Sequence, residues 1–250
     1  MKLILTVMII VIIFLYLKRE YKDIRDYERN EYTNYINTEH ARYYDKIENK
    51  NMYIFKNLLN KNVFKTLLHE FNNVDKSCIK RSKVFNLRQG AAIPGKLLPK
   101  IFIDFYYSKE LNSFLNNLLK LKLEPLPLSH LHACSILVND QKDDYITWHY
   151  DTNYYKGKCF TLLLTLINRD KQRIFPSNNK NCIMLKSEQL CKDTEENSLI
   201  VFEGDQIFHK TEKLKENEKR VIFSMLFCED YSQSNYHRIL RRIKDFSFFN

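Results

Sequence analysis

The chain has no N-x-[ST] sequon, no CxxC pair, no internal repeat and no low-complexity tract. Each absence narrows the reading. With 44% hydrophobic residues, 14% aromatics and no biased tract, the composition excludes a disordered chain and indicates a globular one. The six cysteines, at 78, 134, 159, 182, 191 and 228, are too scattered for the dense framework of a small disulfide-stapled domain. Cys134, Cys159 and Cys228 fall inside apolar strand-like runs and read as buried thiols that suit a reducing compartment, although the even count leaves disulfides open. The missing sequons, despite abundant asparagine, lean away from a lumenal chain. A length of 250 residues allows one sizeable core with a terminal appendage, not two full-size domains.

The formal charge of +10 permits attraction to nucleic acid or an anionic membrane. Acidic residues are interspersed with the basic ones along most of the chain, however, so the charge reads as a solvated surface and a nucleic-acid partner is not expected.

Leu3 to Leu17 (LILTVMIIVIIFLYL) is an uninterrupted apolar run. It is short for a membrane span, which takes about 17–25 residues, but Met1 extends it and Lys2 and Lys18 can reach the two interfaces. A secretory signal peptide would end in a small-residue cleavage site, whereas KREYKD follows here. Residues 1–17 are therefore expected to be a single-pass transmembrane helix. Lys18, Arg19, Lys22, Arg25 and Arg29 follow the run, and only Lys2 and the amino terminus precede it, which favours a cytoplasmic carboxyl-terminal domain. From 18 to 51 the chain is charged and tyrosine-rich, and Tyr21, Ile24, Tyr32 and Tyr35 recur at near-helical steps, predicting a polar helical stalk.

The remainder, 52–250, reads as one domain in which helices lead and strands follow. Apolar positions 55, 58, 59, 63, 64, 67, 68 and 71 predict a helix over Met52–Phe71, and Ser108 is placed to cap a second over Ser108–Lys120. From Leu131 short β-rich runs separated by turn-prone clusters predict a mainly β, jelly-roll-type double sheet flanked by helices. Tyr236–Lys244 predicts a basic amphipathic helix, with Ile239, Leu240 and Ile243 opposite Arg238, Arg241 and Arg242, to pack on the domain or to touch an anionic membrane.

The chemistry concentrates in four residues. His149 and Asp151 are two apart, so an extended strand end projects both to one face. His209 follows a hydrophobic strand and a Gly204-Asp205 turn, on a strand that can lie beside the one bearing His149. Two histidines and one carboxylate on one face of an octahedral ion leave adjacent positions open, the arrangement used by non-haem iron oxygenases, whereas zinc prefers closed tetrahedral sites. Arg220, eleven positions after His209, heads the apolar run RVIFSMLF, where a guanidinium fork facing inward with Ile222 and Ser224 suits a dicarboxylate. His130 and His132 share a face in HLH but lack a third ligand, so no second metal site is expected. Trp148 reads as a core residue.

His149-x-Asp151, His209 and Arg220, in that order on successive strands, resemble the Fe(II)/2-oxoglutarate-dependent oxygenase superfamily over about residues 52–230, and most closely its prolyl 4-hydroxylase-like branch. The resemblance implies a double-stranded β-helix, iron held by His149, Asp151 and His209, and 2-oxoglutarate gripped by Arg220. Tyr145, Thr161 and Ser224 would make further cosubstrate contacts, dioxygen would be the oxidant, and ascorbate an accessory reductant. It implies hydroxylation of a protein or peptide side chain, prolyl first, or of a free amino acid, because the stretch Tyr154–Leu164 is similar to relatives that act on free amino acids. Asp151 argues against halogenation, since halogenases of this kind carry a small residue there. Membrane-bound prolyl hydroxylases are often lumenal, which opposes the cytoplasmic expectation. The sequence departs from the pattern at Ile222, where many relatives have serine two places after the arginine, and it lacks the extra arginines of the nucleic-acid demethylating branch. A different reading, motivated by that departure and by the anchor, is a catalytically silent jelly roll serving as a membrane-tethered adaptor.

Overall fold

A computed structural model of the chain describes residues 34–37, 42–46, 52–170, 181–185, 188–192 and 194–249. The expected transmembrane segment and most of the expected stalk lie outside these residues. Among the described residues no helix is long and apolar enough to cross a membrane.

The first strands are Arg42–Lys46 (β1) and Met52–Lys56 (β2), followed by helix α1 at Lys61–Asn72. The helix expected from Met52 onward thus begins nine residues later, and the expected stalk is not helical where it is described, since Ile36 forms a β-bridge with Leu59 and Arg42–Lys46 is a strand. The cause is two-sided burial. Met52 and Ile54 point into a small inner cluster, while Phe55 packs into the larger core beneath the helices, an alternation that only a strand provides. Asn57 then adopts a left-handed φ of 51°, which interrupts the chain before α1. The domain also reaches further back than residue 52, because Tyr35 and Ile36 are buried and the Glu110 carboxylate accepts N–H bonds from Asn34, Tyr35 and Ile36.

A hairpin that the sequence reading missed, Lys80–Val84 (β3) with Arg88–Pro94 (β4), precedes helices α2 (Lys100–Tyr106) and α3 (Lys109–Leu119). Ser108 caps α3, its hydroxyl accepting from the Leu111 N–H at 3.1 Å. The strands that follow are Glu124–Pro125 (β5), Cys134–Asn139 (β6), Tyr145–His149 (β7), Cys159–Asp170 (β8), Asn181–Leu185 (β9), Glu188–Lys192 (β10), Leu199–Phe202 (β11), His209–Thr211 (β12) and Glu218–Cys228 (β13). Helix α4, Asn235–Phe249, ends the description.

All the pairings are antiparallel, in the order β1-β2-β11-β8-β13-β6-β4-β7-β12-β9-β10. The path folds on itself at β4, whose Ala91–Pro94 half pairs with β6 and whose Arg88–Gln89 half pairs with β7. One strand therefore joins a large sheet to a small one, and the curled sheet is a jelly roll. On β13, Val221, Phe223 and Phe227 face the helix layer, with Phe102 edge-on to Phe223 at 5.1 Å and Tyr106 edge-on to Phe227 at 5.2 Å. The alternate residues Ile222 and Ser224 face the space between the sheets.

Two expectations about side chains change here. Cys159 and Cys228 form a disulfide rather than standing as thiols, because the β8–β13 register sets them directly opposite with Cα atoms 4.2 Å apart. Cys191 is disulfide-bonded as well, and Cys182 lies opposite it in the β9–β10 register. Cys134 remains a buried thiol whose pKa burial pushes up. On α4, Arg241 is only 1% exposed while Ile239 and Ile243 are 41% and 58% exposed. The helix thus turns the opposite way to that expected, since Asp245 and Gln233 accept hydrogen bonds from the buried Arg241 guanidinium.

Candidate metal centre and its pocket

His149, the last residue of β7, lies opposite His209, the first of β12, and their rings are 4.2 Å apart between centroids. Asp151 follows β7 and is held by its own N–H, which donates to the Gly204 carbonyl at 3.0 Å. Asp151 Oδ1 is 3.5 Å from His149 Nε2 and 3.9 Å from His209 Nε2. One ligand atom from each of the three lies within 4.8 Å of the others.

The surrounding hydrogen bonds fix which atoms face inward. His149 Nδ1 is 2.8 Å from the Thr147 carbonyl and His209 Nδ1 is 2.7 Å from the Ile207 carbonyl. A carbonyl only accepts, so each Nδ1 carries the proton and each Nε2 lone pair is left for a ligand. The Thr161 hydroxyl donates to Asp151 Oδ2 at 2.8 Å, which leaves Oδ1 for the imidazole side. Gly204 makes room for this carboxylate, because a Cβ there would lie 2.3 Å from Asp151 Oδ2. Burial alone would raise the Asp151 pKa, but when the His149 and His209 rings carry Nε2 protons their hydrogen bonding and positive charge outweigh it and hold the carboxyl well below the usual range. Burial lowers the His209 pKa, with Asp151 opposing. Two neutral nitrogens and one carboxylate oxygen on one side of an ion fit a divalent first-row metal with an open face.

The same pocket extends inward to Arg220, which is 4% exposed and whose pKa burial lowers to about 10, so it stays charged at neutral pH. Leu137, Leu163, Ile222 and Ser224 line the walls around it. A charged guanidinium fork in a mostly apolar recess matches the geometry of a carboxylate.

Of the residues singled out from the sequence, His149, Asp151, Thr161, His209, Arg220 and Ser224 all line this one pocket. Tyr145 does not. β7 carries one extra residue against β12, since His149 pairs with His209 but Ile146, not Thr147, pairs with Thr211. This bulge shifts the alternation, puts Ile146 into the pocket and leaves Tyr145 outside beneath the Lys213 ammonium, 5.2 Å from its ring centroid. Thr161 is at the site but bonded to the ligand Asp151. Trp148 is not a core residue. It stacks on Phe208 at 5.2 Å, with Lys210 Nζ 5.1 Å from its centroid, on the outer face of the small sheet.

His130 and His132 join a hydrogen-bonded wall instead of a second metal site. His132 Nδ1 is 2.6 Å from Asp245 Oδ1, and the Tyr155 hydroxyl lies 3.3 Å from His132 Nε2 and 3.0 Å from His130 Nδ1. Burial lowers the pKa of His130 to about 3, and that of His132 falls for the same reason, so both rings are neutral. The ionised Asp245 takes the His132 Nδ1–H, the Tyr155 O–H points to His132 Nε2, and His130 Nδ1–H donates to Tyr155. Gly204, Asp205 and Lys244 also belong to the site, and the sequence reading had not placed them there. The only sequence signal for the first two was the Gly-Asp turn before His209, while Lys244 gave none.

By sequence the chain matches no protein-family model and no curated protein. By structure it resembles 2-oxoglutarate-dependent non-haem oxygenases. SnoK, a non-haem α-ketoglutarate-dependent carbocyclase from nogalamycin biosynthesis, aligns with TM-score 0.58 and 10% identity over 82% of this chain and 90% of its own. A prolyl 4-hydroxylase from Pseudomonas putida aligns with TM-score 0.54 and 13% identity over 74% and 95%. HygX from Streptomyces hygroscopicus, solved with nickel and 2-oxoglutarate bound, aligns with TM-score 0.53 and 8% identity over 72% and 83%. The double-stranded β-helix of these enzymes is the fold of this chain.

Proposed function

We propose that the protein is an Fe(II)/2-oxoglutarate-dependent dioxygenase that hydroxylates an amino-acid side chain, either in a protein or peptide or as a free amino acid. The observation that carries this reading is the pairing, in one pocket, of two Nε2-directed histidines and an aspartate with a buried arginine beyond them. His149, Asp151 and His209 would hold the iron, and Arg220 would take the distal carboxylate of 2-oxoglutarate, with Ser224 beside it. The bound metal would activate dioxygen as the oxidant, with 2-oxoglutarate supplying two electrons: one oxygen atom would convert a substrate C–H to C–OH and the other would enter succinate as carbon dioxide is lost. The protein's own work is positional: Thr161 and Gly204 fix the Asp151 carboxylate, the Thr147 and Ile207 carbonyls fix both imidazoles, and Leu137, Leu163 and Ile222 keep water from the recess.

Membrane attachment through Leu3–Leu17 is part of the proposal and is supported by the apolar run. For orientation, the Lys/Arg excess after the run favours the cytoplasmic side, while the Cys159–Cys228 bridge favours an oxidising one. Protease protection of the full chain in sealed vesicles decides between them.

The catalytic reading is tested by succinate release from the full chain supplied with Fe(II), 2-oxoglutarate and oxygen. Release should disappear in His149→Ala and Asp151→Ala. Retention of full release in either variant would sink the assignment, and failure of the wild type to bind iron or 2-oxoglutarate would favour the silent adaptor.

A further inference from the structure

Resting on the oxygenase reading, we propose that the substrate is a zwitterion, a free amino acid or close analogue, whose carboxylate is met by Lys244 and whose ammonium is met by Asp205. The charged residues lining the pocket are Asp151, Asp205, Lys210, Arg220 and Lys244. Three of these are accounted for. Asp151 belongs to the metal group, Arg220 sits in the apolar recess suited to the cosubstrate, and the Lys210 ammonium lies against Trp148 on the outer face of the sheet. Asp205 and Lys244 remain.

Neither is held in an ion pair among the described residues. Asp205 Oδ1 is buried and has no hydrogen-bond partner. Lys244 makes neither an ion pair nor a hydrogen bond there, and its ammonium rests 5.4 Å from the Tyr154 ring centroid and 5.9 Å from that of Phe248. Those aromatic faces let a cation sit partly out of water without neutralising it. The nearest acid on the same helix, Asp245, is already engaged by His132 and Arg241.

Asp205 comes from the turn between β11 and β12, next to Gly204, and Lys244 comes from α4, so two elements bring opposite charges to one pocket beside the metal group. A residue inside a polypeptide carries neither an α-ammonium nor an α-carboxylate and would displace water from both charges without pairing them, which is costly. A free amino acid answers both. The neutral wall formed by His132 and Tyr155 adds no competing charge.

The test is a panel of free L-amino acids, each compared with its N-acetyl and its carboxamide form, given to the full chain with Fe(II) and 2-oxoglutarate. Substrate-stimulated succinate release is measured above the unstimulated level. Binding of the same compounds to the Ni(II)- and 2-oxoglutarate-loaded chain is followed by calorimetry, where no turnover occurs. At least one free amino acid should bind and stimulate release about 100-fold better than either blocked form, on the scale expected when one partner of a buried charge pair is lost. Lys244→Met should erase the preference for free acid over carboxamide, and Asp205→Asn the preference for free amine over N-acetyl amine. Lys244→Arg, which keeps the charge, should retain most of the preference and serves as the folding control. Equal or better use of a blocked form or a peptide, or unchanged preferences in both variants, would overturn the proposal. If unstimulated succinate release and 2-oxoglutarate binding persist in that case, the oxygenase reading stands without it. If neither occurs, both fall.

Discussion

The metal end and the mouth of the pocket are built on different principles. At the metal end, strand register, two main-chain carbonyls and a glycine fix every ligand atom: His149 sits opposite His209, and Gly204 leaves space for Asp151. At the mouth, His132, Tyr155 and Lys244 come from a loop before β6, the turn before β8 and the C-terminal helix; side-chain hydrogen bonds link Tyr155, His132 and Asp245, and Lys244 lies against the Tyr154 ring beside them. Chemistry common to many substrates rests on the backbone, and selection among substrates rests on elements that can vary without moving the metal group.

Substitutions that break the metal end should therefore have the largest effects. Arg220→Met removes a buried charge from the recess, and the KM for 2-oxoglutarate should rise by roughly 30- to 1000-fold, the equivalent of about 2–4 kcal/mol, with the KM for the amino-acid substrate nearly unchanged. A proportional rise in both constants would mean that Arg220 supports the whole pocket rather than one ligand. Gly204→Ala forces a Cβ to within 2.3 Å of Asp151 Oδ2, and calorimetric metal affinity should fall about 100-fold, the upper end of what disturbing a ligand's support costs. Thr161→Val deletes one hydrogen bond to Asp151 without changing shape much, and the same measurement should show a loss of about 10-fold.

The contrast between these two ends also explains how much the sequence disclosed. The His-x-Asp spacing, the distal histidine and the arginine eleven places on are relations along strands, and strand periodicity carries them directly into space. Tyr145 broke that rule because a bulge in β7 reverses inside and outside, and nothing in YITWH marks where the extra residue falls. Lys244 and Asp205 reach the same pocket only through tertiary packing of elements far apart in the chain. α4 reversed its expected faces because a network with Asp245 draws Arg241 inward, a pairing that amphipathic patterning counts as exposed charge. The strand at Met52–Lys56 was hidden by a three-to-four-residue apolar recurrence that carried on into α1 and concealed burial on two faces.

The mouth makes its own, smaller prediction. The His130 pKa is lowered to about 3, by burial first and by the nearby Arg241 and His132 second. An unfolded histidine protonates near pH 6.5, so between that pH and about 3 the unfolded chain binds a proton that the folded chain does not. Stability from this group is complete above pH 6.5 and should fall with decreasing pH by about 1.4 kcal/mol per unit, which urea denaturation at a series of pH values would measure. His130→Gln should flatten that slope. An unchanged slope would place the acid sensitivity elsewhere.

The most direct test of the account is an anaerobic titration of the Fe(II)-loaded full chain with 2-oxoglutarate, followed by visible absorption from charge transfer between the metal and the chelating keto acid. One iron per chain and a new band that saturates with 2-oxoglutarate, fails to form with succinate, and is lost in Asp151→Ala is the predicted result. Absence of stoichiometric iron binding, or binding without any band, would contradict it.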